Sequence, residues 1–201
     1  MAAGLLLAGG AGRRMGTPKG LVQLHGRPLA VRAVHALRDG GCSPVTVVLG
    51  ARAEAVTDVL LRAGLGADPD SDVTTVVAED WADGMGASLR CGLDALAHLP
   101  GVGAALVHLV DLPGVTPEAI RRVAEGAGPS SLRRAAYGGV PGHPVLLGRE
   151  HWSGVVARAT GDAGARGYLA DHPALELVEV GDVAVPDDVD TPEQLRRLSR
   201  A

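Results

Sequence analysis

A strand that ends in a glycine-rich loop restricts the fold of this chain more than any other feature. The first residues contain the continuous apolar run AGLLLA at Ala3–Ala8, which predicts a strand buried on both faces. The loop GGAGRRMGTPKG follows it and contains Lys19, the only lysine of the chain. A glycine-rich turn after a buried strand points backbone N–H groups at an anion, usually a phosphate. The start of the chain therefore predicts a phosphate site at the end of the first strand.

Apolar runs alternate with segments of helical periodicity after this loop. The predicted strands are Ala3–Ala8, Pro44–Gly50, Val73–Ala78 and Ala104–Val110, and the predicted helices are Arg27–Gly40, Glu54–Ala63 and Ala87–Leu99. Thr116 and Pro117 predict the start of another helix, with the threonine as N-cap and the proline in the first helical position. This alternation indicates an α/β fold whose mostly parallel sheet is covered on both faces.

The second half of the chain follows a different pattern. Short strands are predicted at Leu132–Tyr137, Pro144–Leu147 and Leu175–Val180, with GGVPGH forming a loop between the first two. A closing helix is predicted at Thr191–Leu198, capped by its threonine. Because no repeat, low-complexity segment or linker interrupts the chain, residues 1–201 are predicted to form a single domain.

Composition excludes several classes of protein. The net charge is −4 and no basic block occurs, which argues against a nucleic-acid or anionic-membrane surface. Cys42 and Cys91 show no CxxC spacing, so neither a zinc site nor a disulfide framework is expected. The first residues lack the charged and apolar regions of a signal peptide, and no apolar run reaches the roughly 20 residues of a membrane span. These observations predict a cytoplasmic protein with no nucleic-acid or membrane partner.

Three kinds of glycine loop compete for the segment around Lys19. A dinucleotide loop requires a third glycine where Met15 stands, and an acidic residue about 20 residues further on. A Walker loop requires Gly-Lys-Ser/Thr, whereas Lys19 follows Pro18 and precedes Gly20. The third kind is a nucleotidyltransferase loop, in which arginine and lysine neutralise a wrapped triphosphate. The segment LLLAGGAGRRMGTPKGLVQLHGRPL resembles that family's pattern L-A-x-G-x-x-x-R-M-G-x-x-K.

Further motifs extend the resemblance over essentially the whole chain. They are GMGASLRCGLDAL (84–96), LVDLPGVTPE (109–118), GGVPGHPVLLGREHW (138–152), GDAGARGYL (161–169) and DVDTPEQL (188–195). Together they resemble the molybdenum-cofactor nucleotidyltransferases. The resemblance implies a three-layer α/β/α sandwich with a mostly parallel, mixed sheet, the Rossmann-like fold of the nucleotide-diphospho-sugar transferases. It also implies a Mg²⁺-dependent reaction in which a phosphate of the acceptor attacks the α-phosphorus of CTP or GTP.

The resemblance also implies partners and site residues. The acceptor would be molybdopterin or a similar phosphorylated pterin, and a molybdoenzyme or its chaperone would be a further partner. Lys19, Arg14 and Asp111 are the expected catalytic residues, with Arg14 preferred to Arg13 because it precedes Met-Gly as in the family pattern. Asp111 and Asp190 are the expected metal ligands. The alternatives are that Asp111 caps a helix and that Asp190 anchors the turn before the last helix.

The remaining site residues have structural alternatives too. The nucleotide is expected to contact Leu7, Ala8, Gly9, Gly10, Arg14, Lys19, Gly84, Gly86 and Ser88. The last three belong to a segment that would also serve as an ordinary glycine-led helix start. His143 is expected beside the acceptor and Arg166 near its phosphate, although a lone histidine is more often structural and a helix arginine is often only solvated.

The nucleotide base and the type of reaction are the features that the sequence determines least. LAGG resembles the guanylyltransferase branch, whereas GVPGHPVLL and DVDTPEQL resemble the cytidylyltransferase branch, so CTP is the preferred prediction. One alternative function is a nicotinamide-dependent reductase of the kind labelled nicotine blue oxidoreductase, which the missing third glycine disfavours. Another is a non-catalytic nucleotide-binding protein for cofactor insertion, which Lys19 and Asp111 disfavour.

Overall fold

A sheet covered by helices on both faces forms the centre of the computed structural model, which describes residues 1–68 and 70–199. The strands are β1 (Ala3–Ala8), β2 (Gln23–Leu24), β3 (Arg27–Pro28), β4 (Val45–Leu49), β5 (Val73–Val77), β6 (Ala104–Leu109), β7 (Leu132–Tyr137), β8 (Val140–Gly148) and β9 (Glu176–Glu179). The helices are α1 (Leu29–Asp39), α2 (Ala53–Arg62), α3 (Met85–Ala97), α4 (Pro117–Ala124), α5 (Trp152–Arg158), α6 (Arg166–Leu169) and α7 (Pro192–Leu198). Among these described residues, no helix is both long and apolar enough to span a bilayer.

The main sheet has seven strands in the order β5–β4–β1–β6–β8–β7–β9, while β2 and β3 form a separate antiparallel pair. The first four strands of this order run parallel to one another. Strand β8 is antiparallel to both its neighbours, and β9 is parallel to β7. The prediction of an α/β fold with a mostly parallel, mixed sheet is therefore confirmed.

Alternate residues of β1 show how the three layers form. Leu6 and Ala8 pack into one buried cluster with residues of α1, α2 and α4, whereas Leu5 and Leu7 pack into a second cluster with residues of α3, α5 and α6. Side chains of a strand point alternately to the two faces of its sheet. Both faces of β1 are therefore buried, which explains why its sequence is a continuous apolar run rather than an alternating one.

Two helices begin at the caps that the sequence predicts. The Thr116 hydroxyl accepts a hydrogen bond from the Ala119 backbone N–H at 3.2 Å, and Pro117 occupies the first position of α4. Thr191 and Gln194 form a capping box at α7. The Gln194 side-chain oxygen also accepts from the backbone N–H of Asp190 at 2.9 Å, so this cap fixes the backbone just before the helix.

The predicted loop GGVPGH is wrong at four of its six positions. Only Gly138 and Gly139 form the turn, and β8 begins at Val140 and includes His143. The two glycines have φ of 59° and 80°, as a two-residue hairpin turn requires, and the Glu179 carboxylate accepts from both of their N–H groups at 2.8 and 2.9 Å. His143 therefore lies on a strand of the sheet and not in a flexible connection.

Candidate active site

A cleft opens at the carboxyl ends of β1 and β6, the edge at which α/β sheets bind ligands. These neighbouring strands are paired in parallel, with Leu7 opposite Leu109. The cavity has a volume of about 370 Å³. Its wall consists of Leu7, the loop residues Gly9, Gly10, Ala11, Gly12 and Arg13, Lys19, the segment Trp81, Ala82, Gly84, Met85 and Ser88, the strand end Leu109, Val110 and Asp111, and Asp162.

The glycine loop is folded back on itself and rests against the start of α3. Gly12 has φ of 59°, and a Cβ there would overlap the carbonyl oxygen of Thr17. At Gly9 a Cβ would lie 2.8 Å from the Ser88 hydroxyl oxygen. Glycine at these two positions therefore allows the loop to close tightly, and Lys19 follows at the start of a short 3-10 turn.

Four charged side chains meet beside this loop, and we call Arg14, Lys19, Asp111 and Asp190 the charged cluster. The Lys19 ammonium contacts both the Asp111 and the Asp190 carboxylates. A guanidinium nitrogen of Arg14 donates to the other Asp190 oxygen at 2.7 Å. The lysine and the two aspartate side chains are only 17–20% exposed, whereas Arg14 is 71% exposed.

The contacts within the charged cluster shift two pKa values. Burial lowers the pKa of Lys19, but the charge of Asp111 and the hydrogen bonds to both carboxylates outweigh it, so the pKa lies above its ordinary value. The hydrogen bond from Lys19, supported by the charges of Lys19 and Arg14, holds the pKa of Asp190 below its ordinary value. Lysine and aspartate are therefore both charged at neutral pH.

The donor set of the charged cluster fits a hard divalent cation. Asp111 lies just beyond β6 and Asp190 just before α7, and both carboxylates already engage one cation, the Lys19 ammonium. No group of three or more His, Cys, Asp or Glu residues suited to a metal occurs in residues 1–68 and 70–199. Two carboxylates are nevertheless what Mg²⁺ commonly takes from a protein when waters and substrate phosphates complete its shell.

Other residues perform the capping and turn-anchoring roles that were the alternative interpretations of Asp111 and Asp190. Thr116, not Asp111, caps α4, and the capping box of Thr191 and Gln194 anchors the turn before α7. Both carboxylates are directed at Lys19 instead. Asp111 and Asp190 therefore remain the candidate metal ligands.

The structure brings most predicted nucleotide-binding residues to the cleft, but not all of them. Leu7, Gly9, Gly10, Lys19, Gly84 and Ser88 belong to its wall, whereas Ala8, Arg14 and Gly86 do not. Arg13 lies in the wall, and Arg14 instead holds Asp190. The preference for Arg14 over Arg13 as the phosphate contact is therefore not supported by their positions.

The glycines at the start of α3 have a packing role. Gly84 has φ of 104°, and a Cβ there would lie 2.6 Å from the Gly161 backbone. A Cβ at Gly86 would lie 2.8 Å from the Ala159 backbone. Both glycines allow residues 159–162 to approach, and this brings Asp162, which sequence reasoning missed, into the cleft wall. The GDAGAR motif was the available signal for it.

A smaller pocket of about 50 Å³ adjoins the cleft and shares Leu7 and Met85 with it. It brings together the predicted His143 and Arg166 with Arg134, which sequence reasoning missed. Burial and the nearby charge of Arg166 lower the pKa of Arg134. Burial, with the charge of Arg134, lowers the pKa of His143 to about 4, so this histidine is neutral at pH 7. The pocket therefore carries two neighbouring positive charges.

Comparison with known proteins places this geometry in a family. The model of the MobA-like NTP transferase domain matches residues 4–177. Nicotine blue oxidoreductase of Paenarthrobacter nicotinovorans is 38% identical to the chain, over 97% of this chain and 95% of its own. Molybdenum cofactor guanylyltransferase of Rhodobacter capsulatus is 32% identical, over 97% and 93% of the two chains.

A solved structure shares the fold over the full length of the chain. It is the crystal structure of Rv0371C from Mycobacterium tuberculosis H37Rv in complex with manganese. The TM-score is 0.72 at 27% identity, and the match covers 100% of this chain and 98% of that one. A relative of this fold thus binds a divalent metal.

Proposed function

The chain belongs to the MobA-like NTP transferase family, and we propose that this nucleotidyltransferase moves a cytidylyl or guanylyl group from a nucleoside triphosphate onto a phosphorylated pterin. An oxygen of the acceptor phosphate attacks the α-phosphorus, a new P–O–P bond forms, and the bond to pyrophosphate breaks. The observation that supports this proposal most directly is the charged cluster beside the glycine loop. Such a reaction needs positioning and charge neutralisation rather than a covalent intermediate.

Lys19 would carry the central role. In the resting site its ammonium pairs with both Asp111 and Asp190, and Arg14 supplies the second positive charge. When a triphosphate enters the glycine loop, the ammonium would leave these carboxylates and pair with phosphate oxygens at the cleft wall. A lysine suits this movement because its charge is compact and its stem is flexible. Asp111 and Asp190 would then be free to hold Mg²⁺, which supplies positive charge to the phosphates during transfer.

The phosphate group of the acceptor would occupy the smaller pocket next to the cleft. Arg134 and Arg166 lie there as neighbouring cations, and Val145, Leu147 and Leu169 supply apolar wall. A phosphate group would neutralise the two guanidiniums. A molybdopterin-type acceptor would place its phosphate between the two arginines, while its ring system would lie in the larger adjoining cleft.

We propose CTP as the nucleotide donor, with GTP as the competing donor. The motifs around His143 and Asp190 resemble the cytidylyl branch, whereas the LAGG loop and the guanylyltransferase relative favour GTP. The loop glycine Gly9 lies against Ser88, so the two segments assigned to the base are in contact with each other. Base selection should therefore depend on both segments together.

A pyrophosphate-release assay that crosses CTP, GTP, ATP and UTP with molybdenum cofactor tests the proposal. We expect pyrophosphate only when acceptor, divalent metal and one preferred nucleotide are all present. A parallel titration with NADH tests the reductase alternative. Tight NADH binding without any nucleoside triphosphate binding would overturn the proposal, and nucleotide binding without pyrophosphate release for every acceptor would indicate a non-catalytic insertion protein.

A further inference from the structure

A second basic cavity lies on the opposite face of the sheet from the active-site cleft. Its volume is about 260 Å³, and it lies between α1, the turn that follows Asp111, and the start of α4. It shares only Val110 with the cleft wall, so it is a separate site. Helix α1 packs in the cluster of the first face, whereas the α3 residues of the cleft belong to the second.

Two arginines in this cavity have no ionic partner among the residues that the structure describes. Arg27 lies on β3 and Arg32 on α1, and both line the cavity. Within residues 1–68 and 70–199, neither makes an ion pair with a carboxylate. The Nε atom of Arg32 is shielded from solvent and donates to no partner among those residues. Leaving this shielded Nε–H without an acceptor is costly, so the site favours a ligand that can accept from it, and an anion would also match the two positive charges.

The inner wall of the cavity supplies a third donor. His108 is only 1% exposed, and its buried Nδ1 has no hydrogen-bond partner among the described residues. Burial, with the neighbouring His143, lowers the pKa of His108 to about 3, so its ring is neutral and carries one N–H. His35 also lines the cavity, and the exposed Asp39 is the one carboxylate in its wall.

We propose that this cavity binds a small phosphate-type oxyanion, held by Arg27, Arg32 and His108. The three donors come from a strand pair, a helix and the main sheet, so they approach the cavity from three different elements. A tetrahedral oxyanion, which presents oxygens in several directions, suits that arrangement better than a planar carboxylate. Inorganic phosphate and the pyrophosphate released by the proposed reaction share this chemistry.

The test measures binding of inorganic phosphate and of pyrophosphate, in separate titrations without nucleotide and with EDTA. Calorimetry gives the affinity, and the ring resonances of His108, compared with those of His143 in the smaller pocket, report which site is filled. We expect either anion to shift those resonances with saturation. A shift with phosphate alone would identify free phosphate as the ligand, and a shift with pyrophosphate alone would identify a diphosphate.

Substitutions at the cavity complete the experiment. Arg32→Gln and Arg27→Gln should each weaken the binding seen at His108 at least tenfold. Arg38→Gln is the matched control, because Arg38 lies on the same helix but pairs with Asp72 at 3.3 Å, outside the cavity. The proposal is overturned if neither anion moves the His108 resonances, or if Arg32→Gln and Arg27→Gln both bind like the unmodified protein. Because turnover is not measured, this result is independent of the proposed transferase reaction.

Discussion

Charged side chains are arranged differently in the cleft and in the smaller pocket that adjoins it. In the cleft, the charged cluster of Arg14, Lys19, Asp111 and Asp190 pairs two cations with two carboxylates. In the pocket, the positive charges of Arg134 and Arg166 face each other, and the pKa of Arg134 is lowered by burial and by this neighbour. A ligand must displace existing ion pairs in the cleft, whereas an anion in the pocket relieves a repulsion. The first site should therefore be selective and the second should bind anions more permissively.

The largest effect is expected at the centre of the charged cluster. Lys19→Ala should reduce kcat by about 10²–10³-fold, because one preorganised electrostatic contact to a transferring group contributes roughly 3–4 kcal/mol. Lys19→Arg should also be impaired, since a bulky guanidinium fork fits less readily than a compact ammonium on a flexible stem that must move from the carboxylates to a phosphate. The measurement is pyrophosphate release at saturating substrates, with circular dichroism as the control for folding. Near-normal turnover of Lys19→Ala would show that the reaction does not depend on the ion pairs that distinguish the cleft from the smaller pocket.

A comparable loss is expected at the strand end. Asp111→Asn keeps the size of the side chain but removes the charge that would hold the metal. We expect metal-dependent turnover to fall at least 10²-fold, by the same electrostatic reasoning, while nucleotide affinity in EDTA stays within a few-fold. If the variant instead keeps its turnover and melts several degrees lower, Asp111 serves stability and the metal site lies elsewhere.

The strands that deliver Asp111 were well predicted because each is a continuous apolar run. Ala3–Ala8 matches β1 residue for residue, and Ala104–Val110 exceeds β6 by one residue. The backbone position of Asp190 could also be predicted from the sequence, because Thr191 and Gln194 encode locally the cap that fixes it. Residues whose position depends on one local signal are therefore readable from sequence.

The smaller pocket was less predictable because its geometry depends on pairing between distant strands. His143 follows glycine and proline, which indicate a loop, yet its strand is fixed by pairing with β6 and β7. Arg133 and Arg134 are adjacent, but the first pairs with Glu176 at 3.0 Å and the second lines the pocket. Only the register of β7 decides which arginine faces which side.

In the proposed reaction, Lys19 and the metal ion bind the same two carboxylates in turn. We call this the exchange, and it predicts that Lys19 competes with the metal for Asp111 and Asp190. Without nucleotide, the ammonium lies between the two carboxylates, so Mn²⁺ should bind weakly to the unmodified protein. Lys19→Ala should raise Mn²⁺ affinity about tenfold, which corresponds to about 1.4 kcal/mol. Electron paramagnetic resonance of free Mn²⁺ measures this directly, and the double variant with Asp111→Asn should lose the gain. Equal Mn²⁺ affinity with and without Lys19 would contradict the exchange.

The pocket should respond differently from the cleft. Arg134→Gln or Arg166→Gln should raise the KM for the acceptor by about tenfold, as expected when one charge-assisted contact of about 1.4 kcal/mol is lost. The KM for the nucleotide should change less than twofold. Because Arg166→Gln also removes a repulsion, the melting temperature of that variant should stay the same or rise, whereas Arg134→Gln also loses the 2.9 Å hydrogen bond from its Nε to the Gly142 carbonyl oxygen. A lower melting temperature with an unchanged acceptor KM would mean that the arginines are structural.

The smallest effect concerns the contact between the two segments assigned to the base. In Gly9→Ala the new methyl would lie 2.8 Å from the Ser88 hydroxyl oxygen, which is closer than van der Waals contact, so Ser88 must move. We expect the ratio of kcat/KM for CTP over GTP to change by a few-fold, since small repacking in a binding site changes discrimination by about 1 kcal/mol. Gly128→Ala is the control, because a Cβ at Gly128 meets no atom within 4 Å and Gly128 is not part of the cleft wall. If both variants change the ratio equally, the Gly9–Ser88 contact does not select the base. If the unmodified protein already prefers GTP by tenfold or more, the preference for CTP is wrong, and the first loop is the better guide to the base.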